Sequence, residues 1–523
     1  MSFRIRSKDL AARTGTLETK SGVFQTPHMF PVIDPNRPQS TRALLKGTDS
    51  EAIMTNAYLL RRGQTRPLKL ELHKYLGFKR PIATDSGAYQ ILEFGEVAVS
   101  PKEIVQYQEE INSDIAVILD VPTGFRTSLQ RAKWTVDETI RRADEALESI
   151  SRKDILWVGP VQGGVHLLEV ERSAREMGKR DFAIYALGSP TELMETQHFD
   201  ILVDMIVAAK KALPISKPLH LFGAGHPATF PFLVALGCDL FDSAAYALYA
   251  KQGKYFTPEG TLKMDEMEEL PCNCPTCRGN TANSIRDLSL EEKEMLLSRH
   301  NLYVCISELR KIREMIRTGR LWEMLEMRSH AHPAFKRCFE RLAFHTEFLE
   351  RYNPAVKLHG IFYYGRSTDP RPEIQRYSTK LQMAVEPSAK WLVLLPSGWR
   401  RPFHQDPGLD PVVRELREME GVSIVFYSLA YGPVPLELDE AYPIPHTDIY
   451  DPGSSDDYVR SGIKVAEYVK KTDPKQILLV QGTGPLGKHI ETKLRENELS
   501  GKLKIGTLRE AVGLIATGTL VTI

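Results

Sequence analysis

Cysteine is scarce in this chain, six residues in 523, too few for a disulfide framework to organise a protein of this length. An uninterrupted apolar run of about 18 residues is missing, which argues against a helical membrane span. The opening MSFRIRSKDLAARTG lacks the apolar stretch of a secretion signal. A cytoplasmic protein with no membrane partner is the expectation. An excess of either charge is missing too: 68 Lys and Arg against 67 Asp and Glu leave a formal charge of +1. The total therefore announces no nucleic-acid partner, and any basic surface must come from local clustering. The remainder, 42% hydrophobic and 26% charged, is ordinary for a globular protein long enough for roughly two or three domains.

The first half repeats one unit. Short apolar runs end in small or polar residues: HMFPVI (28 to 33), EAIMTNAY (51 to 58), PIATDSGAY (81 to 89), IAVILDVPTG (115 to 124), LWVGPVQGG (156 to 164), FAIYALGSP (182 to 190), PLHLFGAGHP (218 to 227) and CDLFDSAAY (238 to 246). Amphipathic stretches such as PKEIVQYQEEI and TVDETIRRADEALESI lie between them. Continuous rather than alternating hydrophobicity predicts strands buried on both faces, as in a parallel sheet with helical crossovers. Eight units in about 250 residues fit a (β/α)8 barrel, with an open doubly wound sheet as the alternative. The fold class is thus α/β: a TIM-type barrel over 1–262, an inserted metal-binding helical segment over 263–345 completing the catalytic domain, and a separate C-terminal α/β domain over 346–523. Strand ends carry the active site in such barrels, and Asp85, Asp120, Gln162, Gly188, Phe222 and Asp242 fall there.

Half of the cysteines crowd into PCNCPTCRGN, residues 271 to 280. Cys272, Cys274 and Cys277, with His300 after 22 intervening residues, offer three thiolates and an imidazole. That set suits one tetrahedral Zn²⁺, and four protein ligands leave no open position, so the role is structural. Cys238, Cys305 and Cys338 read as isolated packing residues. Ser289 and Glu292 form a capping box opening a helix. Residues 300 to 345 hold nine Lys or Arg against five Glu, which by default is a solvated helix face. Gly482-x-Gly484-x2-Gly487 follows a strand-like run, but too little chain comes after it for a dinucleotide-binding domain. It reads as a turn into a helix, and no nucleotide cofactor is expected.

TDSGAYQ, ILDVPTG, VQGG, HLFGAGHP, GCDLFDSAAY and the CxCxxC with its distant His stand in the order found in archaeal tRNA-guanine transglycosylases, which residues 1 to 345 resemble. The resemblance implies a tRNA partner, exchange of guanine at position 15 of the D arm for free 7-cyano-7-deazaguanine on the way to archaeosine, a barrel with a structural zinc, and a homodimer using the zinc region. Base exchange on an intact phosphodiester chain with retained configuration takes two displacements at C1′, hence a covalent intermediate on a carboxylate. By resemblance Asp242 is the nucleophile and Asp85 the general acid/base. Asp120 would accept hydrogen bonds from the purine amino and ring N–H groups, while Ser86, Gln162 and the Gly188 backbone would contact its carbonyl or substituent edge. Tyr89 and Phe222 would stack on it. Glycines of VQGG and FGAGHP would let base or ribose approach.

The target nucleotide must be extruded from the folded tRNA and the surrounding RNA held by its backbone. That turns the basic helices, with Lys251 and Lys254, into an expected grip. Archaeal relatives usually end in a PUA domain, for which GTLREAVGLIATGTLVTI leaves little room, so a split enzyme recruiting a separate PUA-domain protein is expected. Two alternatives are weaker. An archaeosine synthase-like enzyme should carry a PCxxKPYxxSxSH-like signature, which is missing. A non-catalytic tRNA-binding subunit has no need of both Asp85 and Asp242.

Overall fold

Each of the eight apolar runs contains one strand of a closed barrel. The computed structural model describes residues 3–63, 71–88, 99–383, 389–450 and 453–517, so Tyr89 lies outside the described residues. The chain divides into two compact units, Met1–Asn353 and Pro354–Ile523.

The first unit opens with an antiparallel sheet that the hydrophobic runs do not reveal: β1 (Phe3–Asp9), β2 (Ala12–Thr19) and β3 (Gly22–Thr26). The barrel strands follow as β4 (His28–Ile33), β5 (Ile53–Asn56), β6 (Ile82–Asp85), β7 (Ile115–Val117), β8 (Leu156–Val161), β9 (Ile184–Leu187), β10 (Leu219–Leu221) and β11 (Leu240–Ser243). They close in sequence, with β11 pairing β4, and every pair is parallel. Helices such as Pro101–Glu110, Leu129–Ser149, Leu167–Gly178 and Phe199–Ala212 form the crossovers.

Strand alternation sorts the side chains. On β11, Leu240 joins a lumen cluster with Phe30, Met54, Ala83, Val117, Val158 and Ile184, while Phe241 packs outward against the helices. The next inward residue is Asp242. On β6, Ala83 points inward and Asp85 is next on that face, because a strand repeats every two residues. Leu17 and Phe24 of the N-terminal sheet belong to the lumen cluster, so the barrel is plugged near the strand starts. Each buried Leu or Phe there stabilises by about 1.5–3 kcal/mol, and polar groups collect at the opposite mouth.

After β11 come the helix Ala245–Lys251, the hairpin of Lys254–Phe256 with Thr261–Lys263, the cysteine cluster, and the 29-residue helix Leu290–Thr318. Ser289 caps that helix in a capping box with Glu292. Several arginines of the basic region are paired within the protein, some in the core and some at the surface. Arg328 and Glu308 form a buried 2.7 Å pair, Arg310 holds Asp49 at 2.9 Å, Arg341 holds Asp204 at 2.7 Å, and Arg313 donates to the Pro27 carbonyl at 2.8 Å. Lys311 and Arg337 are exposed. Cys238, Cys305 and Cys338 are buried in the main core.

The second unit is α/β. Its five-stranded sheet runs Gly432–Pro435, Val422–Ser428, Trp391–Pro396, Gln476–Val480, Leu503–Gly506, with only the first strand antiparallel. Ile361–Tyr363 and Thr447–Ile449 pair separately. The Gly482 stretch is the turn into the helix Leu486–Glu496. A Cβ on Gly482 would lie 3.0 Å from Pro396, and one on Gly487 would lie 3.2 Å from the Tyr427 hydroxyl, so packing explains both glycines. Among the described residues no helix is long and apolar enough to cross a membrane.

Candidate active site and metal centre

A cavity of 1940 Å³ opens at the strand ends of the barrel, and Asp85, Asp120, Gln162, Gly188, Phe222 and Asp242 all line it. Ser86 is not on its wall: the side chain is fully buried and its Oγ has no hydrogen-bond partner. Phe222 is partly exposed, edge-on to His220 at 4.8 Å.

Asp242 is anchored through one oxygen. His220 Nε2–H donates to Oδ1 at 2.9 Å and the Gly223 N–H donates to the same atom at 3.1 Å. Asp85 accepts from Asn56 Nδ2 at 2.9 Å and from the Gly87 N–H at 3.2 Å. Burial pushes the Asp85 carboxyl up to about 7, reinforced by the charges of Asp242 and Asp120 and only partly offset by backbone N–H donors. Asp120, 3% exposed, is pushed by burial to about 6, against the Gln162 hydrogen bond that favours its ionised form. Three carboxylates thus converge in a setting that keeps one protonated part of the time near neutrality.

The Asp120 loop is braced from β8 and β9. Gln162 Nε2 donates to Asp120 Oδ2 at 2.6 Å, and its Oε1 accepts from the Thr123 N–H at 3.1 Å and the Ser189 hydroxyl at 2.9 Å. Ser189 sits at φ 64° and also accepts from the Thr123 and Gly124 N–H groups at 3.0 and 3.2 Å. Gly188 is forced by this brace, since a Cβ there would fall 2.1 Å from Gln162 Nε2. Its N–H donates to the Val161 carbonyl at 2.9 Å. A Cβ on Gly225 would lie 2.0 Å from Ser243, and one on Gly163 2.6 Å from the Val170 N. Those glycines of FGAGHP and VQGG thus make room for the protein's own backbone and side chains.

Sequence reasoning gave His220 and Gly223, both within HLFGAGHP, no role toward Asp242, and it missed Asn56 and Ser189. Only His220 left a usable signal, a polar residue between two leucines in a strand that is otherwise apolar.

The ligand atoms of Cys272, Cys274, Cys277 and His300 lie within 4.8 Å of one another. His300 Nε2–H donates to the Phe256 carbonyl at 2.9 Å, turning the Nδ1 lone pair to the thiols, 3.3 Å from Cys277 Sγ and 3.6 Å from Cys274 Sγ. A tetrahedron with metal–sulfur bonds of about 2.3 Å has edges of about 3.8 Å, so the four groups fit a closed metal site. Tyr255 stacks on His300 at 3.6 Å and places its hydroxyl 3.2 Å from Cys277 Sγ, orienting the ligands from behind.

Comparison with known proteins agrees with this architecture. The family model described as queuine tRNA-ribosyltransferase matches residues 8–334. The tRNA-guanine(15) transglycosylase of Aeropyrum pernix is 41% identical over 450 residues, 84% of this chain and 86% of that protein. Its counterparts in Pyrobaculum aerophilum and Sulfolobus acidocaldarius are 40% and 37% identical, covering 85% and 84% of this chain and 89% and 87% of their own lengths. With the family model matching well over half of the chain and these relatives spanning most of it, the chain belongs to the queuine tRNA-ribosyltransferase family, the tRNA-guanine transglycosylases.

Proposed function

We propose that the protein exchanges guanine 15 in the D arm of tRNA for 7-cyano-7-deazaguanine through a ribosyl ester on Asp242. The observation that carries this reading is the pair of carboxylates on one cavity in unlike settings: Asp242 with Oδ1 doubly hydrogen-bonded, and Asp85 poised near 7.

In the first displacement Asp242 Oδ2 attacks C1′, the C1′–N9 bond breaks, and the departing guanine takes the Asp85 proton. In the second, the Asp85 carboxylate takes the N9 proton of the incoming base, N9 attacks C1′, and the ester bond breaks to restore Asp242. Protons and bonds balance over the cycle, and two inversions retain configuration. Phe222 supplies a stacking face, with Tyr89 proposed for the other. Stacking of this kind contributes about 1–3 kcal/mol. The test is incubation of unmodified tRNA with each free base, followed by mass spectrometry of the nucleosides; failure of 7-cyano-7-deazaguanine to enter tRNA in place of guanine would sink the reading.

Asp120 is proposed to accept from the ring N–H and amino group of the base, an arrangement that guanine and its 7-deaza analogues share. Asp120→Asn replaces an acceptor by a donor in a buried site and should raise KM for the base by about 100-fold, with KM for tRNA little changed. Because Asp120 takes up a proton as pH falls through about 6, base affinity of the unaltered enzyme should weaken below that value. Isotope exchange with labelled guanine across pH reads both effects.

The Cys272, Cys274, Cys277 and His300 set is proposed to hold one structural Zn²⁺, whose bound charge would keep the thiolates together. The protein's own part is to tie the Lys254–Phe256 hairpin strand to the long helix that carries His300. Removal by a chelator should lower the thermal transition by about 5 °C or more, recovered on adding Zn²⁺. Unchanged melting with measured metal loss would reject the assignment.

A further inference from the structure

We infer that His220 is a positioning residue for Asp242, fixing the carboxylate plane so that Oδ2 is the oxygen presented to C1′. The inference rests on the reading of Asp242 as nucleophile and adds a residue that neither composition nor motif spacing assigns.

His220 lies on β10 between Leu219 and Leu221, both packed in the outer core, so alternation turns its ring into the lumen. Register pairs His220 with Leu240 and Leu221 with Phe241. Asp242 is therefore one inward position further along, and the imidazole reaches it diagonally. The ring is 2% exposed and wedged between Phe30 at 5.7 Å and Phe222 at 4.8 Å. It cannot swing away without unpacking both phenylalanines. An aspartate at a strand end otherwise has its carboxylate torsion broadly free. Here two donors from different parts of β10 and its loop, His220 Nε2–H and the Gly223 N–H, meet on Oδ1. One oxygen is held and the other is left for attack.

The same two donors serve the second displacement. In the ribosyl ester, Oδ1 is the carbonyl oxygen; as the C1′–Oδ2 bond breaks, the electron pair returns to the carboxylate and the N–H groups stabilise the charge regained on Oδ1. Because the fork touches neither base nor tRNA, its removal should act on kcat and not on KM.

The test compares His220→Phe, which keeps a ring between Phe30 and Phe222 but no donor, with His220→Gln, which returns an N–H close to the position of Nε2. His220→Phe should lower kcat by about 100-fold, leaving KM for tRNA and base within about twofold, and His220→Gln should recover at least about tenfold of the loss. A kcat for His220→Phe within about threefold of the unaltered enzyme overturns the inference. So does a glutamine variant as slow as the phenylalanine variant, because the role would then be space-filling. If His220→Phe loses its thermal transition, His220→Met, of similar reach and without a donor, takes its place against His220→Gln. Peptide mass of the unaltered enzyme quenched during turnover separates the two readings. No tRNA adduct on Asp242 removes the nucleophile assignment itself, whereas a normal adduct that His220→Phe forms equally fast removes only the role of His220.

Discussion

Asp242→Asn is expected to lower guanine release from tRNA by about 10⁴-fold or more while leaving tRNA affinity nearly unchanged. The amide has the same shape, and its oxygen can still accept from His220 and Gly223, so the barrel mouth should keep its geometry. What disappears is the nucleophilic oxygen and a negative charge. The charge offers a second readout, since Asp242 is one of the groups that hold Asp85 near 7. Its removal should let Asp85 titrate lower, visible as a shifted carboxyl resonance of labelled aspartate. Retained exchange, or an adduct trapped on another side chain, would refute the assignment. An unshifted Asp85 would mean that burial and Asp120 set its protonation without Asp242.

The barrel was legible because parallel strands bury both faces and so appear as unbroken apolar runs. The three-stranded sheet before it was not: β1 is FRIRSKD, mostly exposed, and β2 is ARTGTLET, built of small and polar residues. The candidate metal cluster could be read from spacing, because thiols so close in sequence must be close in space. Catalytic neighbours were harder. Ser86 adjoins Asp85 but lies just past the end of β6, and there its side chain is fully buried while Asp85 lines the cavity. Two arginines of the expected RNA grip have protein partners that lie far off in sequence, Asp49 for Arg310 and Asp204 for Arg341. Such commitments are set by the folded register alone, as is the approach of His220 to Asp242.

Asp85→Asn should abolish exchange and at the same time stabilise the protein above neutral pH. A general acid/base contributes about 10²–10⁴-fold, and an asparagine can neither protonate the departing guanine nor deprotonate the incoming base. For stability the sign follows from the raised carboxyl, ordinarily at 3.8 and in the fold at about 7. Between these values the folded chain keeps a proton that the unfolded chain has released, so stability falls as pH rises through the window. The contribution is fully present below about pH 4 and lost above about pH 7, where a charged carboxylate is buried beside Asp242 and Asp120. Asparagine carries no such charge, so the variant should gain about 1–3 kcal/mol over the unaltered enzyme at pH 8 and nothing at pH 4, a rise of a few degrees in melting temperature. Single-turnover kinetics of the unaltered enzyme should show the other face of the same titration. On the proposed role of Asp85, guanine release should slow as pH rises through about 7, whereas attack by the incoming base should speed up. An Asp85→Asn variant that melts at the same temperature as the unaltered enzyme at pH 8, or release kinetics flat across neutrality, would place the proton transfer on another group. In the proposed cycle the two half-reactions make opposed demands, which a carboxyl held near 7 would serve better than one at its ordinary value, fully ionised when the leaving base needs its proton.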